Sequence, residues 1–184
     1  MRKDAAENQE RVLAAAVVTM LREGHHVPMS AIAAEAGVGV GTLYRKYPNR
    51  TALLQALTER AFTLLASLIE TVLAGDGTGL EKLDRFWDLT INEHDQLVLP
   101  LGGGPQKLTP GAQAGRRRLN RGQRRIVEIG IADGTIRDDT TLADVIHFGA
   151  MLVAPFAGDL DWPVIARRQK EIHLAGLAGP TTRR

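Results

Sequence analysis

Ala36-Gly37-Val38-Gly39-Val40-Gly41-Thr42-Leu43-Tyr44 is the stretch that decides the fold of this chain. Upstream of it, Pro28 to Ala36 has the length of a short helix. Pro28 suits the first turn, where its missing N–H would have had no intrahelical partner. Gly37 stops that helix. A second short helix follows from about Val40 to Tyr47, and Pro48 cannot continue it. Ile32, Ala33 and Ala36 on the first helix, with Val38 and Leu43 on the second, give a small apolar seam. Two short helices crossing closely at a glycine turn form a helix-turn-helix unit.

The segments on either side also read as helices. From Glu7 to Glu23, the residues Leu13, Ala16, Val17, Met20 and Leu21 fall on one face, and Gly24 ends the run. Asn49 is a good N-cap for a long helix from Arg50 to Leu73. Leu53, Leu57, Ala61, Leu64, Leu68 and Val72 form its inner stripe, which Leu54, Leu65 and Ile69 widen. Gly75-Asp76-Gly77-Thr78-Gly79 is the clearest break in the chain. A helix from Leu80 to Leu97 then turns Leu83, Phe86, Trp87 and Ile91 inward. Pro100 to Gly115 reads as a loop or broken helix, and an arginine-rich helix follows from Gly115 to Asp133. Thr141 and Asp144 have capping-box spacing and open a helix to about Ala157. Asp161-Trp162-Pro163 opens the last helix, which fades near Gly176, and Pro180 to Arg184 reads as a frayed tail.

The composition agrees with this reading. The chain has 184 residues with 44% hydrophobic and 4% aromatic content. Alanine and leucine dominate and strand-like alternation is missing, which predicts an all-α protein. The expected organisation is a three-helix domain at 1–50, a linking helix at 50–73 and a helical domain at 74–184. There are no cysteines, which excludes disulfides and suits a reducing, cytoplasmic setting. No apolar run reaches the roughly 18 residues that cross a bilayer, so no membrane partner is expected. Val12 to Leu21 resembles a signal-peptide core. However, Asp4, Glu7 and Glu10 precede it and Arg22-Glu23 follow, so it reads as a helix of the mature protein.

The net charge is only +2, so any nucleic-acid contact must rest on local charge. Such charge is found beside the short helix pair. From Gly37 to Arg60 the bases are Arg45, Lys46, Arg50 and Arg60, against Glu59 alone. Gly41 lets backbone approach a duplex, and Thr42 and Tyr44 offer hydroxyls to phosphate. Arg50 opens the long helix, where a cation and helix N–H groups together favour a phosphate.

The run Ile32 to Arg50 resembles the signature of the tetracycline-repressor (TetR) family, an IA…AGV…TLY pattern after an amphipathic first helix. The resemblance implies an all-α fold with an N-terminal helix-turn-helix domain and a C-terminal domain for ligand binding and dimerisation. It implies a ligand-responsive regulator, in most of the family a repressor. Such a protein binds a palindromic operator in double-stranded DNA as a homodimer and is released by a small-molecule effector. Carried over by position, Val40 and Gly41 face bases, Thr42 and Lys46 meet phosphate, and Tyr44 meets phosphate or a thymine methyl. The usual hydroxyl at the start of the second helix is replaced by Pro28 and Met29, and Ser30 takes over that contact. Arg45 supplies any polar base readout. The two subunits would pair through the last two helices, at Gly149, Leu152, Val153, Ala166, Ile172 and Ala175. The candidate effector pocket is Phe86, Trp87, His94, His147, Phe148 and Met151, whose apolar members serve equally well as plain core.

Other chemistries fit less well. Gly37, Gly39 and Gly41 lack the spacing and the preceding strand of a nucleotide-binding loop. Gly102-Gly103-Gly104 has no nucleophile elbow beside it and reads as a connection. The arginines of 116–125 read as a solvated helix face, with contact to DNA or an acidic ligand as the alternative. Asp144 and His147 lie one helical turn apart, but nothing completes a metal site, so neither metal nor cofactor is expected. Asp88, Glu93, His94, Asp144 and His147 are the acid–base groups a helical enzyme would use. No spacing joins them into a catalytic set.

Overall fold

The computed structural model describes residues 2–24, 26–97, 107–153 and 161–180. Their helices are α1 (Arg2–Glu23), α2 (Met29–Glu35), α3 (Val40–Lys46), α4 (Arg50–Ala74), α5 (Gly79–Asn92), α6 (Pro110–Ala132), α7 (Leu142–Met151) and α8 (Trp162–Leu177). A single 3-10 turn at His94–Gln96 follows α5. Among the described residues the only extended pairing is an isolated bridge between Ile136 and Ala178. The architecture is all-α, as the composition predicts. His25, residues 100–106 of the expected loop, Ala157 and the residues after Pro180 lie outside the described residues.

The chain divides into two compact units, Met1–Ala61 with Asp95–Ala112 and Phe62–His94 with Gln113–Arg184. The division falls within α4, the helix that the sequence reads as linking the two parts ahead of the break at Gly75–Gly79. That connection is tied into the second unit on both sides. Lys82 is buried and its ammonium donates to the carbonyl of Gly75 at the C-terminal end of α4, where a cation is favoured. Gly79 N–H donates to the Asp133 carboxylate at 2.8 Å. Thr78 and Glu81 close a capping box at the start of α5.

In the first unit, α1 buries Val12, Leu13, Ala16, Val17 and Met20. Leu21, expected on that face, is 42% exposed. The buried row runs through Thr19 instead, whose hydroxyl donates to the Ala15 carbonyl at 2.7 Å and so enters the core satisfied. Ile32, Ala33, Ala36 and Leu43 are buried as the seam predicts, Val38 packs against them, and Leu53 and Leu57 of α4 complete the cluster. Asn49 caps α4, its Oδ1 accepting the Ala52 N–H at 2.9 Å.

In the second unit the buried row of α4 is Leu65, Ala66, Ile69 and Val72, while Leu64 and Leu68 are half-buried. This reverses the expected emphasis within the stripe. The cause is α6, which turns bare glycine backbone toward the Phe62–Ile69 face. A Cβ on Gly122 would stand 2.8 Å from Ile69 Cγ2, and one on Gly115 would stand 3.0 Å from Phe62 Cβ. By length and composition alone α4 would also cross a membrane. Its apolar row is instead the buried row of these cores, from Leu53 to Val72.

The α6 helix begins at Pro110, five residues before the expected start. Thr109 makes this possible, since its hydroxyl accepts the Ala112 N–H at 3.0 Å and the proline occupies a position that needs no donor. The Thr141–Asp144 capping box forms as read, and α7 ends at Met151.

Lys170 of α8 ties that helix to α5. It is 6% exposed, and its ammonium lies 2.5 Å from Asp84 and 2.6 Å from Asp88. Burial alone would lower the lysine pKa, but the two carboxylates outweigh it and raise the value above the ordinary 10.5. A folded-state pKa raised in this way gives stability that is complete below the unfolded value and is lost as pH climbs through the folded one. Lys170→Met leaves two carboxylates facing an apolar side chain and is expected to cost about 1–3 kcal/mol at neutral pH. Thermal melts of the two proteins at neutral pH and at about pH 11 check this, because the gap between them should narrow at the alkaline value.

Candidate nucleic-acid interface

The α2–α3 turn is set by Gly37, whose φ of +63° is the left-handed conformation that a side chain disfavours. Its N–H donates to Ala34 O, and Val38 N–H donates to Ala33 O, so the chain reverses with its backbone satisfied. Val38 and Leu43 hold the turn to the core. The opposite face of α3 stands in solvent. Val40 is 42% and Tyr44 46% exposed. Gly41, Arg45 and Lys46 are exposed, Thr42 is half-buried, and Ser30 is exposed near the start of α2. A Cβ on Gly41 would meet nothing within 4 Å, so its openness faces outward rather than into packing. No side chain caps α3 at Gly39.

The structure narrows the local charge to two residues. Arg60 is paired with Glu10 at 2.6 Å and donates to the Gln96 carbonyl at 2.9 Å. Arg50 corrects the sequence reading. It is half-buried, and its guanidinium donates to the Val27 carbonyl at 2.6 Å rather than reaching outward to a phosphate. It ties the start of α4 to the segment entering α2. Arg45 and Lys46 are exposed and make no ion pair among the described residues. Replacing Arg50 with alanine should therefore lower the melting temperature while leaving the salt slope of any DNA binding unchanged. A slope reduced by about 1 per site would instead return Arg50 to the phosphate contacts.

Tyr47, the residue that closes α3, is 5% exposed and its hydroxyl has no hydrogen-bond partner among the described residues. Burial, with a smaller contribution from Glu10, pushes its phenol above the ordinary value. It is a core residue.

The expected effector residues separate in the structure. Phe86 and Trp87 are buried, and Phe148 packs edge-on against Trp87 with centroids 4.8 Å apart. His94 sits apart, its Nδ1 2.8 Å from the Ile91 carbonyl. His147 is exposed and Met151 is 63% exposed, so both face outward. The residue that joins the aromatic pair is His173 of α8, stacked on Phe148 at 3.9 Å. Asp144 is occupied as the cap of α7, accepting from Thr141 N–H at 2.8 Å. An open cleft of about 640 Å³ is lined by the apolar Phe148 and Ile172 together with His173, Arg137, Asp139 and Thr141.

Of the residues read as a subunit interface, Leu152, Val153 and Ala166 are buried inside the chain itself. Trp162 donates its indole N–H to the Leu152 carbonyl at 3.0 Å, which draws that segment inward. Gly149 lies 3.3 Å, measured from its Cβ position, from Trp87 Nε1 and so also faces inward. Ile172 and Ala175 are exposed, as are Val164 and Ile165 on the same helix. The arginines of 116–125 are all exposed, and Arg118 is held in a two-pronged pair with Glu70.

A buried seam, a left-handed glycine turn and an outward face of hydroxyl and basic side chains define a helix-turn-helix DNA-binding domain. Residues 12–57 match the family described as bacterial regulatory proteins, tetR family. The HTH-type transcriptional regulator SAR2658 of Staphylococcus aureus is 39% identical over 112 residues, covering 59% of this chain and 60% of that protein. The chain thus spans less than two thirds of that relative's length. A TetR regulatory protein from Mycobacterium vanbaalenii superposes with a TM-score of 0.65 at 27% identity, covering 96% of this chain and 98% of the other. FadR of Bacillus subtilis, solved in complex with stearoyl-CoA, shares the fold at a TM-score of 0.67 and 20% identity, over 92% and 99% of the two chains. Residues 12–57 thus carry the N-terminal DNA-binding domain of the tetR family, and the described fold is similar to that of TetR transcriptional regulators.

Proposed function

We propose that this protein is a ligand-responsive repressor and not an enzyme. It acts in the cytoplasm as a homodimer on a palindromic operator and is released by a small-molecule inducer. The observation that carries the reading is the outward face of α3. Val40, Gly41, Tyr44, Arg45 and Lys46 are all exposed while Leu43, between them, is 1% exposed and anchors the helix. Thr42 and Ser30 flank that face. The contacts divide into Tyr44, Thr42 and Lys46 on phosphates and Val40, Gly41 and Arg45 on base edges. With Val40 and Gly41 at the base-facing positions, base choice rests on apolar contact with thymine methyls and on Arg45.

Pairing through α8 is supported by the exposed apolar side chains Val164, Ile165 and Ile172. Two-fold symmetry then requires a palindrome with recognition helices about 34–36 Å apart or a multiple of it. Effector binding in the second unit is supported by its aromatic cluster and by the likeness in fold to FadR, which was solved in complex with stearoyl-CoA. A difference of about 1–3 kcal/mol between liganded states is enough to change DNA affinity 5- to 150-fold.

A gel-shift titration with the palindrome from the protein's own promoter tests the reading. The expected result is one complex of two subunits per palindrome, competed by the same sequence and not by a scrambled one. Equal binding to both sequences, or to neither, contradicts it.

A further inference from the structure

We infer that Trp87, Gln123 and Gly149 form a binding site for the neutral head of an otherwise apolar small molecule, with a hydroxyl or carbonyl oxygen seated against the indole N–H. This rests on reading the second unit as the effector-binding one. Trp87 is fully buried and Gln123 is 4% exposed. Neither Trp87 Nε1 nor Gln123 Oε1 has a hydrogen-bond partner among the described residues. The other indole of the chain, Trp162, is also buried and does find one. Buried donors and acceptors are nearly always paired, so neighbouring orphans of opposite sense mark a place for a third group.

The two side chains meet at Gly149, with the nitrogen of the Gln123 amide turned toward it. A Cβ there would stand 3.3 Å from Trp87 Nε1 and 3.9 Å from the Gln123 amide nitrogen. Glycine therefore turns bare helix backbone toward both groups. Phe148 and His173 supply flat apolar walls beside them. A carbonyl oxygen accepts from the indole N–H and from the Gln123 amide N–H as that group stands. A hydroxyl accepts from the indole and, once the amide is turned over, donates to its oxygen.

A charged head fits poorly. His173 is the ionisable ring in the cluster, and its Nε2 is also without a partner among the described residues. Burial holds it below the ordinary imidazole value, against a smaller opposing pull from Asp144. A carboxylate seated at the indole would find no cation among Trp87, Gln123, Phe148 and His173, and an ammonium has no lone pair to accept the indole N–H.

The two tryptophan indole N–H resonances, assigned through Trp162→Phe, give a direct test. Octanol, octanone, octanoate and octylamine are titrated into the full chain. Octanol and octanone should move the Trp87 resonance saturably and leave Trp162 in place, with the charged pair at least about tenfold weaker. Gly149→Ala, which sets a methyl against the indole N–H, should abolish the shift while helicity is kept. Gln123→Leu should weaken octanol by about tenfold. A Trp87 resonance unmoved by both neutral probes overturns the site, as does one moved equally by octanoate or one still moved in Gly149→Ala. Operator binding measured on the same samples separates the two claims. If DNA is bound and Trp87 is unmoved, this site fails and the regulator stands. If Trp87 moves and no DNA is bound, the site stands and the regulator reading fails.

Discussion

Replacing Tyr44 and Lys46 together with alanine is expected to reduce operator affinity by about a thousandfold while leaving the melting temperature and the subunit association unchanged. Both side chains are exposed on α3, and neither is used in packing. Lys46→Ala alone removes one charge-assisted contact per subunit, hence two per dimer. At roughly tenfold per contact that is about a hundredfold, and Tyr44 contributes the remainder. The salt slope should also fall by about 2 for the dimer, because two fewer counterions are released on binding. Fluorescence anisotropy across a salt series measures both quantities. If the double variant binds as the native chain does, α3 is not the reading helix.

Gly79→Ala is expected to be the most destabilising methyl in the chain. Its Cβ would land 2.2 Å from the Cα and N of Gly130 and 2.9 Å from the Ile126 carbonyl. All three atoms are backbone, so no side chain can rotate away, and α5 and α6 must move apart. Overpacking of this kind costs about 3 kcal/mol or more. At about 2–4 °C per kcal/mol for a chain of this size, the melting temperature should fall by roughly 6–12 °C. Gly176→Ala is the control. Nothing lies within 4 Å of its Cβ position, and alanine is the better helix former. It should be neutral or slightly stabilising in the same calorimetric scan. Equal losses in the two variants would mean that the α5–α6 contact at Gly79 does not carry the second unit.

The helix-turn-helix was legible because its determinants are local. Gly37, the five-residue apolar seam and Pro48 all lie within twenty residues and act through backbone conformation and short-range packing. Arg50 was misread because its partner is the Val27 carbonyl, 23 positions away, and no periodicity links the two. The two capping boxes show how context masks a signal. Thr141 and Asp144 were legible against an ordinary background. Thr78 and Glu81 have the same spacing but sit in a glycine-rich run that reads as a break.

Glycines carried a second kind of information. Gly115, Gly122 and Gly130 of α6 are close-approach positions, and the surfaces they meet lie on other segments, which no local pattern reveals. The proposed effector region was the least legible, since its members come from four helices. Hydrophobic patterning found Phe86, Trp87 and Phe148. It could not find Gln123 or His173, whose importance comes only from what they face across the unit.

The central claim is that α3 lies in the major groove of a palindromic operator. The chain has no cysteine, so Val40→Cys creates a unique attachment point for an iron chelate that cuts nearby DNA. The prediction is two clusters of cuts, symmetric about the palindrome centre and about one helical turn, or a multiple, apart. The same chelate on Val164→Cys, 65% exposed on α8, should give no cuts above background. Cuts from Val164 and none from Val40 would contradict the account.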